Sequence, residues 1–180
     1  MTTATATLTA TNATLENRHC TFLIVGYGNE LHGDDAIGSH VATAVATWGL
    51  PQLRSLSVQK LTPELSETLA NAEYVVFVDA CRMNCPEGVR FKPINACGSE
   101  PGGCSIPAAG HSCDPCTLLA LTQSVYGRRP QSWWLEVPAE NFDLSKGLSS
   151  IAELGVARAL EKIQFLVRHY SRPTLRALPA

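Results

Sequence analysis

Two acidic residues and one histidine, far apart in the chain, could do chemistry if the fold brings them together. Asp35 follows an apolar run and a glycine-rich turn, Asp79 follows a second apolar run, and His111 lies in a loop rich in glycine and proline. Two carboxylates that meet either share a proton or bind a divalent cation. An added imidazole makes an O,O,N donor set that suits Ni²⁺ or Zn²⁺. The three residue types therefore indicate carboxylate or metal chemistry.

Each of these residues also has an ordinary structural interpretation. Asp34, which precedes Asp35, is expected to cap a helix that starts there, and this leaves Asp35 without an evident structural duty. Asp79 could simply form a turn, and His111 could be an exposed loop residue. The remaining histidines show no such convergence, although His32 lies close to the first turn.

The elements that must position these residues follow from the apolar pattern. Continuous apolar runs predict buried strands, and an alternating segment that contains Pro93 predicts an edge strand. The predicted strands cover 21–25, 56–59, 74–78, 89–94 and 133–137. Apolar residues at helical spacing predict helices that begin at Asp34 and at Thr62, and two more over 114–126 and 151–170.

This alternation predicts an α/β protein, a three-layer α/β/α sandwich with a mostly parallel five-stranded sheet. In such sheets, sites form outside the carboxyl ends of the strands, where the strand order reverses. If the first strand lies between the second and the third, Asp35 and Asp79 face each other across that crevice.

Length and composition fit one domain of 180 residues, with 45% hydrophobic and 17% charged residues. We expect a disordered, Thr/Ala-rich extension over 1–19, for which a transit peptide is the alternative, then a single domain over 20–172 and a tail over 173–180. A net charge of −2 gives no reason to expect nucleic acid or acidic lipid as a partner. No apolar run is long enough to span a membrane. We expect the protein to be cytoplasmic and monomeric.

The cysteines and the glycine-rich turn exclude some other classes. Seven cysteines without a secretory signal argue against a disulfide framework, and only Cys113 and Cys116 have the spacing of a zinc-ligand pair. A structural metal in the cysteine-rich segment and ordinary thiols both remain open. The turn lacks the third glycine of a dinucleotide fingerprint, having Leu31 there, and the second strand ends in Gln59 rather than an acid. We therefore expect no organic cofactor.

The segment from Gly26 to Gly38, GYGNELHGDDAIG, closely resembles the G-x-G-N-x-L-x-x-D-D/E-x-x-G signature of hydrogenase maturation endopeptidases. The resemblance continues through Val76–Ala80 and through His111, which precedes a leucine-rich helix. It covers roughly residues 21–170 of the chain. One departure is Gln59-Lys60-Leu61, where many members of the family carry an Asp-Gly-Gly turn.

The resemblance implies a protease that removes the C-terminal extension from the large-subunit precursor of a [NiFe] hydrogenase. It implies that Asp35, Asp79 and His111 contact metal and that the two aspartates take part in catalysis. The resemblance further implies that this metal is nickel, which the precursor carries and the protease does not keep. Two rivals remain, a non-catalytic nickel-delivery chaperone that uses the same three ligands and a nucleotide-binding α/β enzyme.

Overall fold

A computed structural model describes residues 20–82, 88–94, 113–144 and 147–171 of the chain. The described strands are β1 (Cys20–Tyr27), β2 (Leu53–Val58), β3 (Ala72–Arg82), β4 (Arg90–Pro93) and β5 (Gln131–Ala139). The described helices are α1 (Ile37–Ala46), α2 (Leu65–Ala70), α3 (Pro115–Tyr126) and α4 (Ser150–Tyr170). A 3-10 turn, Gly33–Ala36, leads into α1.

The five strands form one sheet in the order β2-β1-β3-β5-β4. β1, β2, β3 and β5 run parallel, and only the edge strand β4 is antiparallel, with Pro93 opposite Trp133. The predicted fold class is confirmed, and so is the position of the first strand between the second and the third. The strand order therefore reverses at the boundary between β1 and β3, where we expected the site.

Helices cover both faces of the sheet, because alternate strand residues point to opposite sides. On one face, α1 and α4 pack against strand residues that include Ile24 and Val76. On the other face, α2 and α3 pack against strand residues that include Val25 and Phe77. These two hydrophobic clusters make the three layers.

Backbone contact between two glycines sets how closely α1 approaches β1. A Cβ atom on Gly26 would lie 1.8 Å from the carbonyl oxygen of Gly38, and one on Gly38 would lie 2.4 Å from the backbone nitrogen of Tyr27. Only glycine fits at either position. The turn that carries Asp35 is thereby held directly against the end of the first strand.

Several predicted boundaries are wrong, and three of them have a clear physical reason. α1 begins at Ile37 rather than Asp34, and no side chain caps it, because the residues before it form the 3-10 turn. α2 begins at Leu65 rather than Thr62, whose carbonyl oxygen accepts a hydrogen bond from the Leu65 N–H in a preceding turn. β3 continues past Asp79 to Arg82, because its backbone pairing with β5 extends that far.

The two later helices match their predictions more closely in extent than in packing. Asp114 caps α3 by accepting a hydrogen bond of 2.8 Å from the Thr117 N–H. Val125, predicted to face inward, is 60% exposed, because the buried side of α3 ends at Thr122. α4 buries small residues such as Gly155, where an added Cβ would lie 2.5 Å from Val137 Cγ1.

Several expectations concern the chain ends and the cysteines. Residues 1–19 and 173–180 lie outside the described part of the structure, so their predicted disorder is untested. Cys81 and Cys113 carry free thiols, whereas Cys116 is disulfide-bonded, contrary to the expectation of thiols there. None of the helices in the described ranges is both long and apolar enough to cross a membrane.

Candidate active site

The glycine-rich turn after β1 wraps around Asp35. The Asn29 N–H donates a hydrogen bond of 2.8 Å to Asp35 Oδ2. Gly28 has a positive φ of 138°, and a Cβ there would lie 2.0 Å from the Asp35 carbonyl oxygen. The glycine is needed for this close approach as well as for its backbone conformation. The local sequence thus places one carboxylate at the carboxyl end of β1.

Asp35 lines an open cavity of about 410 Å³, together with Asn29, His32 and Phe142. Nδ1 of His32 lies 3.2 Å from the carbonyl oxygen of Phe142. Because a carbonyl oxygen only accepts, Nδ1 is the protonated ring nitrogen in this contact. Sequence reasoning did not assign His32 to the site, and only its nearness to the turn could have pointed to it.

Asp34 does not cap a helix. It accepts hydrogen bonds from the segment that forms one side of the cavity. Its side chain is 0% exposed and accepts hydrogen bonds from the N–H groups of Glu140, Asn141 and Ser149 and from the Ser149 hydroxyl, all of 2.7–2.9 Å. Burial alone would raise the pKa of Asp34, but these hydrogen bonds outweigh it and lower the pKa. The ionised Asp34 therefore fixes the segment that contains Phe142.

Asp79 lies one residue beyond Val78, the last residue of β3 that pairs with β1. The Tyr27 hydroxyl, at the end of β1, donates a hydrogen bond of 2.8 Å to Asp79 Oδ2. Burial raises the pKa of Asp79 to about 6, and the charges of Asp35 and Glu136 raise it too, against the lowering effect of the Tyr27 hydrogen bond. This carboxylate can therefore exchange a proton near neutral pH.

The surroundings of Asp79 keep Tyr27 neutral and balance the nearby charge. Burial is the main cause that raises the pKa of Tyr27, followed by the charge of Asp79, so its hydroxyl remains a donor. Glu136, opposite Asp79 on β5, pairs with Arg90 at 3.2 Å and Lys92 at 2.9 Å. The edge strand β4 thus supplies the positive charge that compensates the second acid beside Asp79.

The structure brings Asp35 and Asp79 to the same edge of the sheet, close enough for the charge of one to shift the pKa of the other. Asp79 does not line the cavity beside Asp35. His111 lies outside the described residues, so its approach to the two acids stays a prediction. Within the described ranges, no three His, Cys, Asp or Glu side chains converge to hold a metal ion.

Several solved structures have a fold similar to that of this chain. The hydrogenase maturating endopeptidase HybD from E. coli superposes with a TM-score of 0.68 at 21% identity, covering 83% of this chain and 93% of that one. The [NiFe] hydrogenase maturation protease HybD from Thermococcus kodakarensis gives 0.62 at 25% identity, covering 81% and 97%. The chain has the fold of the hydrogenase maturation endopeptidases.

Further comparisons bear on how far this likeness extends. The maturation protease HycI from Thermococcus kodakarensis shares the endopeptidase fold, with a TM-score of 0.61 at 19% identity over 83% of this chain and 93% of that one. No family model and no curated protein matches the chain. The fold implied by the resemblance of the segment from Gly26 to Gly38 is confirmed by these structures.

Proposed function

We propose that this protein is a protease of hydrogenase maturation, which removes the C-terminal extension of the large-subunit precursor of a [NiFe] hydrogenase. The observation that carries the proposal is the position of two carboxylates, Asp35 after β1 and Asp79 in β3, at the same edge of the sheet and at the switch point of an endopeptidase fold. The precursor is then the protein's partner and substrate. The nickel held by the precursor is the feature that the protease recognises.

The two aspartates are suited to different parts of the reaction. Hydrolysis of a peptide bond requires an activated water and stabilisation of the negative charge that develops on the carbonyl oxygen. Asp35 lines an open cavity and accepts a backbone hydrogen bond, which suits a residue that contacts the incoming nickel. Asp79, with a pKa raised to about 6, suits a group that accepts a proton from water.

The proposed contacts also explain why the protease would act on the nickel-loaded precursor. Asp35, Asp79 and His111 would contact the ion of the precursor and so place the scissile bond beside the carboxylates. A precursor without nickel would lack this anchor and would bind in no fixed position. Correct positioning of a bond against a catalytic group supplies a large part of an enzyme's rate.

The direct test mixes the purified protein with nickel-loaded and with nickel-free precursor and follows the loss of C-terminal mass by mass spectrometry. We expect cleavage of the loaded form only, and no cleavage by Asp79→Asn. Asp143→Asn, at an exposed position, is the matched control and should cleave normally. Equal cleavage of both precursors would refute nickel recognition.

The same experiment separates a protease from a nickel-delivery chaperone. A delivery protein would leave the mass of both precursors unchanged and would bind Ni²⁺ stoichiometrically without precursor. Equilibrium dialysis of the isolated protein measures that binding. Tight binding together with no cleavage would replace the protease proposal with the delivery function.

A further inference from the structure

The cavity beside Asp35 is lined by a second side chain of a type that can bind a metal ion. His32 and Asp35 both line it, and His32 is half-buried. We propose that His32 is a further ligand of the precursor's nickel and binds the ion through Nε2. This inference rests on the proposed function, because the ion arrives with the precursor.

The tautomer of the His32 ring is fixed by its contact with Phe142. Nδ1 donates to the Phe142 carbonyl oxygen at 3.2 Å, so a neutral imidazole has its lone pair on Nε2. Among the described residues, Nε2 has no hydrogen-bond partner. Metal-binding histidines generally donate their other ring nitrogen to a carbonyl or carboxylate oxygen in this way. A purely structural histidine would need only the Nδ1 contact.

The Phe142 carbonyl group that orients the His32 ring belongs to a segment held by hydrogen bonds. The residues just before Phe142 are held by Asp34, whose Oδ2 accepts hydrogen bonds from the N–H groups of Glu140 and Asn141. The Asp34 N–H in turn donates to the Asn141 carbonyl oxygen at 2.7 Å. Asp34 thus holds Asn141 through both its side chain and its own backbone N–H, which fixes the segment that orients His32 before any ion arrives.

His32 and Asp35 together offer two donor atoms of the kinds that bind nickel. One imidazole nitrogen and one carboxylate oxygen form a donor set that suits Ni²⁺ but is too small to hold it alone. The described residues offer no third His, Cys, Asp or Glu at that position. His32 and Asp35 therefore suit an ion that the precursor brings, with the remaining ligands supplied by the precursor and, as proposed above, by Asp79 and His111.

The test compares His32→Gln with His40→Gln, a substitution of the exposed histidine on α1, which borders a different cavity. Binding is measured to nickel-loaded and nickel-free precursor whose scissile bond has been made resistant to cleavage by substitution. We expect His32→Gln to weaken binding of the loaded precursor by about 10-fold or more, as loss of a metal contact does. Binding of nickel-free precursor should not change, and His40→Gln should change neither.

The outcomes separate this inference from the proposed function. If the wild-type protein does not prefer loaded precursor, nickel recognition and the role of His32 both fall. If the wild-type protein prefers it and His32→Gln retains the full preference, only the role of His32 is refuted. An equal loss in His40→Gln would also refute it. Thermal melting checks the fold, and His32→Asn repeats the measurement should His32→Gln melt early.

Discussion

Tyr27 donates a hydrogen bond of 2.8 Å from its hydroxyl group to Oδ2 of Asp79, and this bond joins the end of β1 to β3, its neighbour in the sheet. β1 pairs with β3 only as far as Val78, so beyond that residue the two strands have no backbone ladder between them. The phenol holds the carboxylate at the point where the strands separate. Because burial keeps Tyr27 neutral, it favours the charged form of Asp79 without adding charge itself.

Tyr27→Phe should shift the pH dependence of precursor processing. Loss of the donor raises the pKa of Asp79 above about 6, so the acid limb of the profile should move to higher pH. The free energy of unfolding should fall by about 1 kcal/mol, the usual worth of one hydrogen bond. Processing rates across a pH series measure the shift. Tyr126→Phe, at an exposed position on α3, is the control, and coincident acid limbs for the two variants would contradict the role of Tyr27.

Asp79→Asn should abolish processing and stabilise the fold above about pH 6. The pKa of Asp79 rises from 3.8 to about 6 on folding, so the folded state binds this proton more tightly than the unfolded state. Wild-type stability therefore falls as pH rises through this window. Above it, the variant should be more stable by up to about 3 kcal/mol, and the difference should vanish near pH 3. Urea unfolding at several pH values measures this, and a difference independent of pH would contradict it.

Asp34→Asn should destabilise the protein strongly. An amide offers one acceptor oxygen where the carboxylate accepts four hydrogen bonds, so donors from Glu140, Asn141 or Ser149 lose their partner. The expected loss is about 3 kcal/mol or more of unfolding free energy at neutral pH. Since the pKa of Asp34 is lowered on folding, its stabilising effect exists above its unfolded pKa and disappears as pH falls. Asp143→Asn should change stability by less than about 0.5 kcal/mol.

Asp35→Asn should keep the fold and stop processing. The amide oxygen of the variant can still accept the hydrogen bond from the Asn29 N–H, so the turn after β1 is retained. The negative charge is lost, and with it one of the causes that raise the pKa of Asp79. Circular dichroism tests the fold and C-terminal mass loss tests the reaction. Normal processing by this variant would remove Asp35 from the proposed site.

The sheet and the two acids could be predicted because their signals are local. The apolar runs 21–25 and 74–78 identify the central strands, and Gly28 and Asn29 specify the turn around Asp35 from seven and six positions away. The end of β3 was misplaced at Asp79, because strand pairing continues through backbone bonds after the apolar side chains stop.

The duties of Asp34 and His32 could not be predicted from the pattern. Asp34 accepts hydrogen bonds from residues 106 to 115 positions away, mostly from backbone N–H groups that every residue type carries. His32 is oriented by the backbone carbonyl of Phe142, 110 positions away. Such contacts depend on the path of the chain in space. They cannot be predicted from the types of the residues that supply the backbone groups.

The contact between Asp34 and Ser149 also orders events during synthesis. Asp34 and Asp35 leave the ribosome early, but Ser149, which hydrogen-bonds the Asp34 side chain, is translated 115 residues later. A nascent chain that stops after β3 has three neighbouring strands of the sheet and no finished cavity. Under the proposed function, we therefore expect a precursor to bind only after the start of α4 has been translated.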